Sequence, residues 1–435
     1  MSYTVTMGYI ARNDDITVDG MRFEMSYILY DSRGDSIEGQ SDKPWVTDQN
    51  LQLSKKQIGS YECNIPYTLW HDLHGLARED FIERQLTVLV EQDNGILFVG
   101  YLTEKDLTFD RAMHVYFTEA LGIYDESDII VESKSYMLTC AADGTHVSDV
   151  NEPDAANPSL WYKLFSDSTV SSGILSPNLV APTVARGVTK DLSDEGQQSG
   201  TAWSFIQKYF LDEYDGYLYL TYEWSTKSPG CFKMLLHYDL DITNKTNQTV
   251  EYGKNLLDLE VSEKLPSNFC NEVMAWGTST TTKGWWIFKK TKTSRVLGGA
   301  YDWDSIDKYG AVSKDIFVDG NSTEENLKKV AKEELDNCDT VPEKTITLTA
   351  YDLVDVGLQT DRLGYMKKTH VLAPKHGVDG WYVCTKVSID PGDPASTQFT
   401  FGNPPKKLTD QQNKVKNQLA GTAVMVGGMM GYLNM

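Results

Sequence analysis

Residues 85–102 read QLTVLVEQDNGILFVGYL. Two runs rich in Val, Leu, Ile and Phe flank Asp93-Asn94-Gly95. Asn-Gly supplies the positive-φ residues that a tight turn needs, so Gln85–Glu91 and Ile96–Leu102 read as two strands of a hairpin. Outward from it, Tyr3–Ile10, Met21–Tyr30 and Tyr61–Ile65 alternate apolar and polar residues as half-buried strands do, and His114–Ala120 continues the pattern. Tyr67–Ala77 breaks it. Leu69, Trp70, Leu73 and Leu76 make one apolar face of a short helix, and Pro66 suits its start. The opening 110 residues are therefore a β-rich unit with one helix.

Between Arg111 and Gln248 two long stretches, Asp143–Pro158 and Ser166–Gly200, are dominated by loop-forming residues. Thr201–Tyr214 follows as an amphipathic helix with Trp203, Ile206, Phe210 and Tyr214 on one face, then Tyr217–Trp224 and Cys231–Tyr238 as strands. Strands return at Asn255–Val261, Glu272–Gly277, Ala311–Val318, Thr345–Tyr351, His370–Ala373, Trp381–Ile389 and Gln398–Phe401. Ser322–Asn337 is a helix: Ser322 and Glu325 form a capping box, and Leu327, Val330, Ala331 and Leu335 form its apolar stripe. The segment 404–435 differs in character. It sets four lysines against Asp410 alone, pairs Thr409 with Gln412 in a second capping box, and carries a seam of Leu408, Val415 and Leu419. A small apolar run containing Val424, Met425 and Met429 follows.

The whole chain has 435 residues, 40% of them hydrophobic, and a formal charge of −22. That composition builds cores and repels phosphate, which argues against nucleic-acid binding by ordinary electrostatics. The start lacks the basic and apolar regions of a signal peptide, and no stretch approaches the ~18 apolar residues of a membrane span. The six cysteines never form a C-x-x-C pair and are expected as reduced, buried thiols in a chain made in a cytoplasm.

Candidate chemistry is sparse. His71 and His74 have a spacing that can put two imidazoles on one metal, but no third ligand lies near them in sequence. Asp212, Glu213 and Asp215 could flank a glycosidic bond, although such clusters are common among 62 carboxylates. Trp285 and Trp286, among Phe288, Lys289, Lys290 and Lys292, could stack on a base or sugar, or pack as a hairpin edge. Nucleophile elbow, P-loop, zinc-protease and dinucleotide motifs are absent. The residues assign no catalytic centre, no metal and no cofactor.

Several stretches, taken in order, resemble one family. They are Asn64-Ile65-Pro66-Tyr67, Leu86–Glu91, the run Ile96 to Asp106 ending in Glu-Lys-Asp, and Val115 to Leu121. Further on come Gly253-Lys254-Asn255-Leu256-Leu257-Asp258, Asn271 to Gly277, Lys308-Tyr309-Gly310 with the helix after it, His376 to Asp390, and Thr400-Phe401-Gly402. Together they resemble the siphophage tail-associated, or prophage endopeptidase tail, proteins, whose N-terminal part is baseplate-hub-like.

The resemblance implies a β-rich α+β multi-domain chain with two β-barrel-like tube domains and lateral α/β domains. The first tube domain would be 1–110, the lateral domain 111–248, and the second tube domain 249–402, built from about 249–275 and 340–402 around an insertion 276–339. Residues 404–435 would be a C-terminal helix and apolar tail. It further implies a virion structural protein of the tail tip, a homotrimeric adaptor between the sixfold distal tail protein ring and threefold tip structures. Its partners would be its own copies, the distal tail protein, and tail fibre, tip or tape-measure proteins, with DNA passing through the lumen without specific binding. Leu408, Val415, Leu419, Val424, Met425 and Met429 are then expected at the trimer axis or plug. Members that carry a lytic domain continue well beyond the hub, and the 33 residues after Gly402 hold no such domain. The alternatives are a cell-wall hydrolase acting through Asp212 or Asp215, and a host-glycan-binding module using Trp285 and Trp286.

Overall fold

The fold is that of a computed structural model, which describes residues 3–10, 21–31, 46–73, 77–93, 95–145, 157–166, 177–193, 196–226, 231–266, 268–283, 290–336, 338, 340 and 342–402. It is mostly β, in several sheets. The chain divides into two compact units, Met1–Glu260 with Thr347–Met435, and Val261–Ile346.

In the first unit, β1 (Tyr3–Ile10), β2 (Met21–Asp31), β3 (Thr47–Ser54), β4 (Gln57–Ile65), β5 (Leu86–Gln92), β6 (Gly95–Leu107) and β7 (Met113–Glu119) pair in the order β2-β1-β5-β6-β7-β4-β3. The Asp-Asn-Gly stretch is the β5–β6 hairpin, closed by the Gln92–Gly95 pair, with Asp93 at φ 51°. Leu86 to Val90 are all buried, so β5 is covered on both faces. The free edge of β3 pairs antiparallel with the strand Val378–Ile389, Leu51 opposite Ile389 and Ser54 opposite Lys386. That strand also pairs with Gln398–Gly402 and Lys368–Ala373, and the last lies parallel to Lys245–Glu251. Among the described residues the path of ladders is open at both ends.

The middle of the chain packs on this sheet through one core that runs from Leu89, Val99 and Tyr101 to Tyr238. At its centre Trp161 is fully buried on the helix Leu160–Ser166, its ring 4.3 Å from Phe165 and 5.8 Å from both Phe210 and Tyr238. The expected helix at 201–214 forms as Ala202–Ile206 continued by a wider turn, Gln207–Asp212, and Thr201 Oγ1 caps it by accepting the Ser204 N–H. Of the expected helix at 67–77 the described residues form a wide turn, Thr68–Leu73, which buries Leu69 and Trp70, and 74–76 lie outside the described residues.

In the second unit the strand Glu272–Lys283 lies between Lys290–Tyr301, antiparallel, and Ser313–Asn321, parallel. The helix Glu324–Asp336 covers one face with Leu327, Ala331 and Leu335 against Val273 and Ala275. Its cap is Thr323 rather than Ser322: Thr323 Oγ1 accepts the Asn326 N–H at 3.2 Å. Ser322 follows directly on the strand's last residue, Asn321; its N–H donates to Thr278 O and its side chain is buried. The expectation of six reduced thiols also needs correction. Cys270 and Cys338 are joined as a disulfide, while Cys63, Cys140, Cys231 and Cys384 are free and buried. Sequence spacing hides the pair because the fold of this unit brings the two ends of a 68-residue separation together. Closing a loop that long stabilises a fold by about 4 kcal/mol in the chain-entropy account.

The helix approaches the sheet closely at Gly298, where a Cβ would stand 2.4 Å from Lys328 N and 2.6 Å from the Leu327 carbonyl carbon. Both obstacles are backbone, so the helix itself would have to lift. Gly298→Ala is expected to destabilise the second unit by about 2 kcal/mol or more, read as a lower urea midpoint for that unit. An unchanged midpoint would show that the helix yields freely.

Candidate assembly site

The carboxylates that the sequence offered for catalysis lie on lysines. Asp215 Oδ1 is 2.8 Å from Lys56 Nζ and 3.1 Å from Lys55 Nζ, Asp212 is 3.6 Å from Lys56, and Glu213 is 2.8 Å from Lys190. The Lys55 side chain is fully buried, with its ammonium 3.9 Å above the centre of the Tyr217 ring. Burial alone would raise the Asp215 carboxyl, but Lys56 and Lys55 outweigh it and hold it below the ordinary range. An ionised, lysine-bound carboxylate is poorly suited to donate a proton to a leaving group. His71 Nδ1 lies 2.9 Å from Asp72 and its ring stacks on Tyr67. His74, Trp285, Trp286 and the proposed axial residues Leu408, Val415, Leu419, Val424, Met425 and Met429 lie outside the described residues. Among the described residues no three His, Cys, Asp or Glu side chains converge as a metal group, and no helix is long and apolar enough to cross a membrane.

Glu119, at the end of β7, is a different kind of acid. It is buried, and its carboxylate accepts the Gly59 N–H at 3.0 Å. Burial pushes its pKa up to about 7 against that hydrogen bond. Gly59 permits the approach, since a Cβ there would meet Leu53 Cδ2 at 2.8 Å and Glu119 Oε2 at 3.0 Å.

The first unit also holds an open apolar cavity of about 320 Å³ where β1, β3, β5 and β6 meet the C-terminal strands, with Tyr3, Leu53, Leu97, Leu363, Val387 and Phe399 among its walls. Asp352, Asp355, Gly392, Pro394 and Ala395 also line it. Behind them Arg362 binds three carboxylates: Asp93 of the β5–β6 turn, Asp355 at 2.7 Å and Asp352 at 3.4 Å. Asp352 is buried and well supplied with donors, from Gln248 Nε2 and from the N–H groups of Val354 and Leu363.

At the far end of β6 the turn to β7 projects Phe109, which is fully exposed. The turn is tightly tied. Thr108 donates through both its N–H and its hydroxyl to Ala112 O, and the Arg111 N–H donates to Thr108 O with Arg111 at φ 65°. The buried Trp70 clips it from the side, its indole N–H donating to Arg111 O at 3.2 Å. The sequence reading passed over both the cavity and this turn. The cavity is walled by segments hundreds of residues apart, and Thr-Phe-Asp-Arg carries no motif.

Residues 244–412 match the prophage endopeptidase tail family. The match begins at the strand Lys245–Glu251 and takes in the second unit and the C-terminal strands of the first, the region that carried the later half of the resemblance. Three solved structures are similar along most of their length. The 43 kDa tail protein of prophage MuSo2 from Shewanella oneidensis aligns at 9% identity and TM-score 0.48, covering 92% of this chain and 98% of its own. A tail protein from Neisseria meningitidis aligns at 11% and 0.47, covering 92% and 96%. The prophage tail protein gp18 from Listeria monocytogenes aligns at 11% and 0.43, covering 89% and 98%. No curated protein matches the chain by sequence.

Two outcomes follow from the buried charges. Asp215→Asn strands the Lys55 ammonium and is expected to cost about 1–3 kcal/mol, less than for a fully enclosed pair because Asp215 is half open to water. Adding Lys55→Met should recover most of that loss in urea unfolding; no recovery would mean that Asp215 matters for another reason. For Glu119 the folded pKa, about 7, lies above the ordinary 4.5. Its protonated form therefore favours the fold below pH 4.5, and that contribution is lost as pH rises through 7. It amounts to about 3 kcal/mol over the window. Glu119→Gln should flatten the stability profile between pH 5 and 8, and an unchanged slope would assign it to other groups.

Proposed function

We propose that the chain is a structural tail-tip protein of a tailed phage, a homotrimeric hub that adapts a sixfold distal tail ring to threefold tip structures and forms or closes the DNA channel. The observation that carries this reading is the match of residues 244–412 to the prophage endopeptidase tail family. In this reading residues 1–110 and about 249–275 with 340–402 are two barrel-like tube domains. Residues 111–248 are lateral, 276–339 are an insertion, and 404–435 form a C-terminal helix and tail. The formal charge of −22 suits a conduit, because a carboxylate-rich lumen offers DNA no counterion-releasing contacts.

The hub acts by geometry and not by turnover, and we route no hydrolytic step through Asp212 or Asp215. Its partners are further copies, the distal tail ring, and fibre, tip or tape-measure proteins. The tail of Leu408, Val415, Leu419, Val424, Met425 and Met429 turns to the threefold axis. A lone helix of about 11 residues is marginal in water, and three copies meeting on the axis relieve that cost.

Light scattering on the purified full chain is expected to give three times the 48.9 kDa chain mass, and averaged images a threefold ring. A stable dimer, or a monomer in assembled tails, would refute the adaptor. Removing 404–435 should leave the ring intact but leaky or unable to recruit its tip partner, and normal infectious yield from that deletion would end the axial assignment.

A further inference from the structure

β6 has complementary features at its two ends. At Leu97 it walls the apolar cavity, and twelve residues on, just past its end, Phe109 stands fully exposed. At about 3.3 Å per residue these lie roughly 40 Å apart, too far for the turn to reach the cavity of its own chain. The phenyl ring is not on a loose loop. The hydrogen bonds within the turn and the Trp70 clip hold it projecting into solvent. A phenyl ring fixed in water forfeits the favourable transfer that burial would bring. The cavity has the converse shortage, an apolar lining open to water and a volume of about 320 Å³. A cavity of roughly 150 Å³ already holds benzene. A cation stands beside the ring: Arg111, two residues from Phe109, is exposed, with its guanidinium 5.3 Å from the centre of the Tyr67 ring. On the cavity wall Asp352 and Asp355 are paired with Arg362, and the adjoining turn carries Asp390, whose Oδ1 accepts the Gly392 N–H, and the exposed Asp393.

We propose that Phe109 of one copy seats in the cavity of a second copy, an aromatic knob in an apolar hole, with Arg111 leaving the Tyr67 ring to meet the exposed Asp393 at the mouth. The contact is heterologous. Each copy offers one knob and one hole, so repetition closes into a ring when the rotation per step divides the circle. The inference deepens the hub reading and rests on it only for the number of copies in the ring. An aromatic anchor filling a pocket is also the kind of contact that dominates association energy.

The test uses the full chain with cysteine in place of Phe109 and, separately, in place of Ala395 at the mouth. The four native free thiols are buried and the other two are joined, so only the new thiols react. Mild oxidation of an equal mixture is expected to link Phe109→Cys to Ala395→Cys, and neither variant to itself. Phe109→Asp should melt like the parent chain, because the ring touches little in the isolated chain, yet associate at least about tenfold more weakly, while Phe109→Trp keeps assembly. No cross-link in a mixture that still has the trimer mass, or normal assembly of Phe109→Asp, overturns the knob and leaves the trimer standing. Cross-links in a dimer or an open string keep the knob and overturn the threefold count. A monomeric parent chain without cross-links overturns both. Cross-links that appear only after removal of 403–435 would give the cavity to that segment and end the proposal.

Discussion

The ladder between Leu51–Ser54 of β3 and Lys386–Ile389 makes the first unit a single body. It joins residues more than 300 positions apart, and its neighbourhood gathers a third distant segment. The Lys55 N–H donates to Thr385 O at 2.7 Å, and the Lys55 side chain reaches Asp215 and Tyr217. Loop closure over such a span costs entropy, though the cost grows only with the logarithm of length. Leu51, Leu53, Val387, Ile389 and Phe399, all buried around the seam, offset it. Pairing of this kind is nonlocal, so folding of the first unit waits on the return of the chain's last strands.

A second fastening across the same seam is ionic, and it shows what an acidic chain needs in order to bury charge. Buried Asp352 is held by Gln248, two backbone N–H groups and Arg362. Glu119 is buried with the Gly59 N–H as its described donor, and its pKa climbs to about 7. The two acids are buried alike and differ in the donors supplied, several for Asp352 against one described for Glu119. Asp93 serves the same seam. The turn residue that makes the hairpin possible also turns its carboxylate to Arg362.

Local chemistry was legible in the sequence, and assembly across distance was not. Asp-Asn-Gly marked the turn to within a residue although β6 runs five residues past the expected Leu102, Tyr217–Trp224 is a strand with the bounds expected of it, and the 322–337 stripe is the helix that covers the second unit. The cap slipped by one residue because Ser322 is buried and its N–H is tied to Thr278 O just past the strand's end, a competition invisible in a capping-box pattern. The wide turn at Thr68–Leu73 and the helix Leu160–Ser166 depend on tertiary burial of Trp70 and Trp161 rather than on propensity. The Cys270–Cys338 bond, the lysines under Asp212, Glu213 and Asp215, and the cavity all arise where remote segments meet. No spacing rule reaches that far.

The length of β6 ties the fold to its surfaces. β6 has 13 residues, whereas β5 and β7 beside it have 7 each. Only its middle, Phe98 to Leu102, is buried on both faces, and a bulge at Thr103 ends that register. Its first half pairs with β5 from Gly95 and walls the cavity at Leu97, and its second half pairs with β7 as far as Leu107 and carries the tied turn. The apolar runs on either side of Asp-Asn-Gly fix the position of the hairpin, and the unequal strand lengths set the cavity wall near one end of β6 and the projecting turn beyond the other.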